Sequence, residues 1–280
     1  AGIGNTFSLM IDQWAGHSLV IAIVLIALAS LVLGMGLPVT AAYIVLGTLS
    51  APALHGLIAD GLLVDALTSG QIPEAAKALF MIAAPDHLAQ IGQTMDLATA
   101  RAIVDAIPPD LAGTVREAVL SAHDLTFALL SAHLIIFWLS QDSNVTPPVA
   151  LAAFTGAAIA GTRPMATGFQ AWKLAKGLYI IPLLFAYTPF IGGSVWGDLE
   201  IFFFAFFGLY AFAAGLEGYM EGPLGPAPRI GSLAAAILLL WPLPWFLHLA
   251  GLVLLVALFV SNRRKAMRQS LPPGASASAV

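Results

Sequence analysis

The sequence predicts an all-α polytopic membrane protein in which a re-entrant helical hairpin is followed by a broken transmembrane helix. Three observations point there. Hydrophobic residues make up 59% of the 280 residues and charged residues only 9%, where an ordinary soluble domain is about 25% charged. The charges are absent over runs long enough to cross a bilayer, which takes about 20 residues per helix. Those runs are broken by Gly/Pro-rich apolar turns and not by polar loops. The same composition excludes a soluble globular domain and a disordered chain, which needs low hydrophobicity and high charge. The absence of Cys excludes disulfides and thiolate metal sites, and a net charge of −4 speaks against a nucleic-acid partner. The chain opens at Ala1 without a basic, apolar and cleavage-site succession, so it reads as the C-terminal part of a longer protein with no signal peptide.

The first region, 1–59, is the hairpin. No Asp, Glu, Lys or Arg occurs in the 47 residues between Asp12 and Asp60. Gly34-Met35-Gly36-Leu37-Pro38 divides this run into Ser18–Leu33 and Val39–Ile58. An apolar turn of this kind is tolerated inside a membrane where protein surrounds it, so a re-entrant hairpin is preferred to two plain spans. The second region, 60–124, holds nine of the fifteen acidic residues and three of the eleven basic ones, a balance of 3 − 9 = −6. Helical spacing over Thr99–Ile107 and Leu111–Leu120 makes it a small helical insert in water, a solvated domain first and a docking surface second.

The third region, 125–191, contains Leu125–Gln141 and Ser143–Thr162, one long helix broken at Asp142 and Ser143-Asn144-Val145-Thr146-Pro147-Pro148. A following span is expected over Gly177–Gly197, kinked at Pro182 and Pro189. The fourth region, 192–262, carries the aromatic span Ile201–Gly215 and the 33 uncharged residues Ile230–Asn262, interrupted by Trp241-Pro242-Leu243-Pro244-Trp245 as a tight helical hairpin. The tail, 263–280, begins with Arg263, Arg264, Lys265 and Arg268 and is expected in the cytoplasm. Counting crossings backward from it puts Arg163, Lys173 and Lys176 inside, as membrane anchors, and the acidic insert outside.

The two breaks carry the chemistry. Broken helices at mid-membrane are the best sequence pointer to a transport site. A break frees carbonyls that coordinate cations and amides that favour anions. Gly34 and Gly36 permit the turn, Pro38 suits the first turn of the next helix, and Thr40 offers a hydroxyl. In the second break Ser143, Asn144 and Thr146 offer neutral oxygens. An Asp at membrane depth costs at least about 2.5–3.5 kcal/mol and is a functional candidate by default. Asp142 is therefore expected to bind a cation or carry a proton, or else to cap a helix in a water-filled vestibule. His55 and His133 are expected to be structural, His17 and His248 interfacial. No dinucleotide loop, zincin motif or triad context occurs, so the chain is not expected to be an enzyme and no organic cofactor is implied.

At these motifs the sequence resembles a known family. The run Gly34-Met35-Gly36-Leu37-Pro38-Val39-Thr40-Ala41-Ala42-Tyr43 is similar to a signature of the large (DctM-like) permease subunit of TRAP transporters, the tripartite ATP-independent periplasmic transporters. Ser140-Gln141-Asp142-Ser143-Asn144-Val145-Thr146-Pro147-Pro148-Val149-Ala150 resembles the second signature. Ala160-Gly161, Pro164-Met165, Thr167-Gly168, Lys173-Leu174-Ala175-Lys176-Gly177 and Phe185-Ala186-Tyr187-Thr188-Pro189 continue the likeness, in the style of fused permeases that work with TAXI-type binding proteins. The resemblance implies one half of an inverted-repeat elevator transporter in the bacterial inner membrane. Its expected partners are a periplasmic solute-binding protein, a small permease subunit or the N-terminal half of the same permease, and the lipid bilayer. It implies import of a small organic anion driven by a cation gradient, Na⁺ first. Gly34, Gly36, Thr40, Asp142, Ser143, Asn144 and Thr146 are then the expected substrate and ion residues, with Gly34, Asn144 and Thr146 nearest Na⁺. The competing reading is a channel or scaffold subunit without solute transport.

Overall fold

The structure, a computed structural model, describes residues 10–11, 13–191 and 193–270. The described residues are 81% helical, and no strand occurs among them. Four helices are long and apolar enough to cross a membrane: Val39–Ser69, Ala122–Asn144, Val195–Glu217 and Trp245–Arg268. The chain is thus an all-α polytopic membrane protein. It divides into two compact units, Ala1–Ala186 and Tyr187–Val280.

In the first unit, α1 (Leu19–Gly34) starts at Ser18, whose side chain accepts from the Ile21 amide. Its 16 residues reach roughly 24 Å at 1.5 Å per residue, short of the bilayer core of about 30 Å. The chain turns over Met35–Leu37 and Pro38, in extended geometry, starts α2 (Val39–Ser69). That helix has 31 residues and a length of roughly 46 Å, longer than any bilayer core. It does not stop near Ile58, as the charge pattern suggested. Pro52 removes a single helical donor, and Asp60 is neutralised, so neither ends it. The Asp60 carboxylate accepts two 2.7 Å hydrogen bonds from Arg116, and both side chains are only about a fifth exposed. Gly56 leaves room for that guanidinium; a Cβ there would lie 3.4 Å from Arg116 Nη1. The helix ends where Gly70 takes a left-handed conformation, φ 71°.

The insert follows as α3 (Glu74–Ala83), a 3₁₀ turn (Pro85–Gln90), α4 (Leu97–Ala106) and α5 (Pro109–Val119). The last two coincide with the helices expected from spacing. The Ala-rich α3 was not foreseen. Phe80, Ile91, Ile103 and Val115 pack with Leu63 and Leu67 of α2 into one small core. Residue 60 therefore lies inside a continuous helix, and the end of α2 completes the core of the insert. Asp96 caps α4, accepting from the Thr99 amide and hydroxyl; those bonds hold its carboxyl below the usual range. Ser121 and Asp124 form a reciprocal capping box that opens α6 (Ala122–Ser140).

Helix α6 runs antiparallel to α2: Tyr43 meets His133 and Phe137, whereas His55 meets the backbone of Leu125. Small buried residues on both helices, Ala42, Gly47, Ser50 and Ala51 against Ala128, Ser131 and Ala132, allow close approach. After α6 come the 3₁₀ turn Gln141–Asn144, α7 (Leu151–Ala160), α8 (Pro164–Leu174), a second 3₁₀ turn (Ala175–Tyr179) and α9 (Ile181–Tyr187). The expected span Gly177–Gly197 is thus corrected. Only seven of its residues form α9. Pro182 sits in the first turn of α9, where a proline fits without loss of a helical donor, and the segment restarts there.

The second unit contains α10 (Val195–Glu217), α11 (Pro226–Leu240) and α12 (Trp245–Ser270). The α11–α12 hairpin turns at the expected Trp/Pro run. Glycines set the packing: a Cβ on Gly215 would lie 2.6 Å from Leu233 Cδ2, and one on Gly251 2.8 Å from Leu238 Cβ. Phe202, Phe203 and Phe206 remain exposed on α10, as for a lipid-facing surface. Arg229 Nε donates to the Gly215 carbonyl at 2.6 Å, and Asn262 Oδ1 accepts from the amides of Glu221 and Gly222, tying down the turn after α10. His248 Nε2 donates to the Trp241 carbonyl at 3.0 Å, and the ring packs on Phe204.

The Arg116–Asp60 pair sits between the surface and buried limits, so losing it costs about 2 kcal/mol. Arg116→Leu should make the 60–124 insert about 30-fold more susceptible to limited proteolysis under conditions where opening is reversible. Unchanged cleavage would show that the insert is held by its apolar core alone.

Candidate ion and solute site

The two breaks meet. Gly34, the last residue of α1, is buried, and a Cβ on it would stand 3.1 Å from the Ser143 amide nitrogen and 3.2 Å from its Cα. Any larger residue would push the hairpin tip off the backbone of the 3₁₀ turn. Serine hydroxyls take up carbonyls at the end of α6. Ser30 of α1 donates to Leu139 O at 2.8 Å, Ser140 to Ile136 O at 2.7 Å, and Ser143 to Ser140 O at 3.1 Å. All three hydroxyl residues are essentially fully buried. The carbonyls that the sequence offered to a cation are therefore already engaged by hydroxyls on at least one side.

The broken segment is tied to Asp142. Its main-chain carbonyl accepts from the amides of Val145 and Thr146. The chain then passes the cis Pro147–Pro148 bond and re-enters α7 through Ala150, which is buried at φ 34°, an uncommon conformation for a residue with a Cβ. The Asp142 carboxylate is 1% exposed. Tyr179 donates its hydroxyl to Asp142 Oδ2, while Oδ1 is buried with no hydrogen-bond partner. Thr146 lies beside the same carboxylate, in a geometry that leaves its Oγ1 also without a partner. Asn144 is half-buried and donates to the Gln141 side chain at 3.4 Å.

The structure thus brings Gly34, Asp142, Ser143 and Thr146 together, with Asn144 on the same turn. It does not bring Gly36 or Thr40 to them: both are exposed, and Gly36 has nothing within 4 Å of where a side chain would begin. Sequence reasoning missed Ser30 and Tyr179. Ser30 carried a signal, as a hydroxyl amid the apolar Leu19–Gly34 run. Tyr179 carried none. Beside the site, Tyr43, Gly47, Thr48, Pro52, His55 and His133 line a groove of about 540 Å³ between α2 and α6. Tyr43 and His133 are bonded to each other at 3.2 Å. Among the described residues no three His, Cys, Asp or Glu side chains converge on one point. A cation held here would be held by one carboxylate and by hydroxyl or carbonyl oxygens, the donor set of hard cations.

A family model described as the tripartite ATP-independent periplasmic transporter, DctM component, matches residues 1–191. The chain belongs to this family. No curated protein and no solved structure matches it. The match covers the first compact unit and leaves most of the second beyond it. As a DctM component the chain is a TRAP permease protein, integral to the inner membrane, from a transporter family and not an enzyme family. The family's transporters include a periplasmic binding protein and a small membrane component.

The chain has no Cys, so a single reporter at Val145→Cys reads the break cleanly. Overpacking costs about 1–3 kcal/mol. Gly34→Val should therefore speed thiol labelling of that reporter about tenfold, while Gly36→Val should leave the rate unchanged. Equal rates in the two variants would mean that the tip contact does not hold the break.

Proposed function

We propose that this chain is the C-terminal part of a secondary-active TRAP permease that imports a small organic anion, handed over by a periplasmic solute-binding protein of TAXI type and driven by a cation gradient, Na⁺ first. The observation that supports this most directly is the contact of Gly34 with Ser143 beside a buried, half-satisfied Asp142. Two interrupted helices meeting at one carboxylate are what a cation-coupled site needs: oxygens for the ion, free amides for an anion, and little else. A bound cation also offsets the cost of a carboxylate at that depth.

In this reading α1 and the first part of α2 are a re-entrant hairpin that moves with the broken helix α6–α7 as a transport element of an elevator. The shortness of α1 supports re-entry, since its 16 residues fall short of the bilayer core. The complementary half of the site comes from the N-terminal half of the permease, and the small permease subunit is part of the scaffold or the same chain. The basic end of α12, Arg263, Arg264, Lys265 and Arg268, lies in the cytoplasm. The acidic insert 60–124 faces the periplasm, where its surface is available to the binding protein.

Uptake of solute into proteoliposomes holding the complete permease should require both the binding protein and an inward Na⁺ gradient, with no ATP. Asn144→Ala or Thr146→Ala should raise the Na⁺ needed for half-maximal uptake several-fold, as expected for one lost polar ligand of about 1–2 kcal/mol, with membrane insertion intact. Uptake under a H⁺ gradient alone would transfer the coupling to a proton. Flux without the binding protein would favour a channel.

A further inference from the structure

The helix break is gripped by a third element that the two motifs do not include. Helix α8 approaches it through Gly168, which is buried; a Cβ there would lie 3.2 Å from Pro147 Cγ and 3.5 Å from Ala150 Cβ. The absent side chain lets the helix seat directly on the turn that carries Thr146. The 3₁₀ turn Ala175–Tyr179 then brings the Tyr179 hydroxyl onto Asp142 Oδ2. Segment 164–179 therefore touches both flanks of the break, at Asp142 and at Pro147–Ala150.

The tyrosine satisfies half of the carboxylate. A phenol has one proton to donate, and Oδ2 takes it. The Thr146 hydroxyl lies close enough to interact with the same carboxylate, but neither Asp142 Oδ1 nor Thr146 Oγ1 makes a hydrogen bond of ordinary geometry. Asp142 is 1% and Thr146 4% exposed, so bulk water reaches neither. A carboxylate oxygen and a hydroxyl buried without a well-formed hydrogen bond are costly in that environment. A small monovalent cation seated between them relieves both at once, and Na⁺ favours such oxygen donors. The Tyr179 bond fixes the orientation of the carboxylate by engaging Oδ2.

We propose that Tyr179 is a positioning residue: it fixes the Asp142 carboxylate so that Oδ1 and Thr146 Oγ1 together form a Na⁺ site. This rests on the cation-coupled reading above and adds to it the residue that aims the ligand. Nothing in the sequence pattern assigns Tyr179 a part.

The test is a Na⁺ titration, against choline at constant ionic strength and pH, of the thermal midpoint of the complete permease purified in detergent; a ligand bound only by the folded state raises that midpoint. Wild type should stabilise saturably with Na⁺. Tyr179→Phe should reach the same plateau at about tenfold higher Na⁺, whereas Asp142→Asn should lose the Na⁺ response. Thr146→Val should behave like Tyr179→Phe, and Thr146→Ser, which keeps the hydroxyl, should behave like wild type. A Tyr179→Phe titration that overlays wild type overturns the positioning role. If Tyr179→Phe does not fold, a Thr146→Val curve that overlays Thr146→Ser overturns the shared site. A wild type stabilised by lowering the pH and not by Na⁺ overturns the Na⁺ assignment. Because binding is read without transport, these results are separate from the uptake experiment, which alone decides the transporter reading.

Discussion

Backbone polar groups at membrane depth have no water to fall back on, and that constraint shapes the first unit of this protein. A helix that stops inside the bilayer exposes carbonyls and amides at several kcal/mol each. Here the hairpin tip and the helix break are packed against each other at Gly34 and Ser143, and Ser30, Ser140 and Ser143 donate to carbonyls at the end of α6. The interruption is thus tolerated because another interruption covers it. At the break itself Asp142 Oδ1 and Thr146 Oγ1 stay buried without a partner, and there a ligand has much to contribute.

The rest of the unit holds that meeting in place. Helices α2 and α6 run antiparallel over small residues, with Tyr43, His133 and Phe137 packed together partway along. Beyond the expected membrane end, α2 continues for more turns and becomes part of the insert's core through Leu63 and Leu67. The Arg116–Asp60 pair fixes α5 to the same helix. The helix that begins at the hairpin tip thus also supplies part of the insert's core.

Much of this was legible before any coordinates. Glycine and proline within an apolar run have one main physical meaning, a failure of local hydrogen bonding, and both breaks were visible for that reason. The hairpin α11–α12 was visible through its Trp/Pro turn in the same way. Other features depend on partners distant in sequence. Asp60 looked like a helix end because its neutralising Arg116 lies 56 residues away. Gly177–Gly197 looked like one span because apolar composition does not register whether a proline sits inside a helix, as Pro52 does, or begins one, as Pro182 does. Tyr179 could not be singled out, since its bond to Asp142 spans 37 residues and neither residue type predicts it. Gly36 and Thr40 belong to the same signature as Gly34 but are exposed at the hairpin tip, not packed into the Asp142 cluster.

The account stands or falls on whether the two breaks bind the coupling cation as one unit. Hydrogen–deuterium exchange of the complete permease, with and without Na⁺ at constant ionic strength, measures this directly. The account predicts that Na⁺ slows exchange at the amides of 30–39 and of 141–150 together, with the same Na⁺ dependence. Protection of only one segment, or of neither, would contradict a shared site and leave the Gly34–Ser143 contact a packing feature.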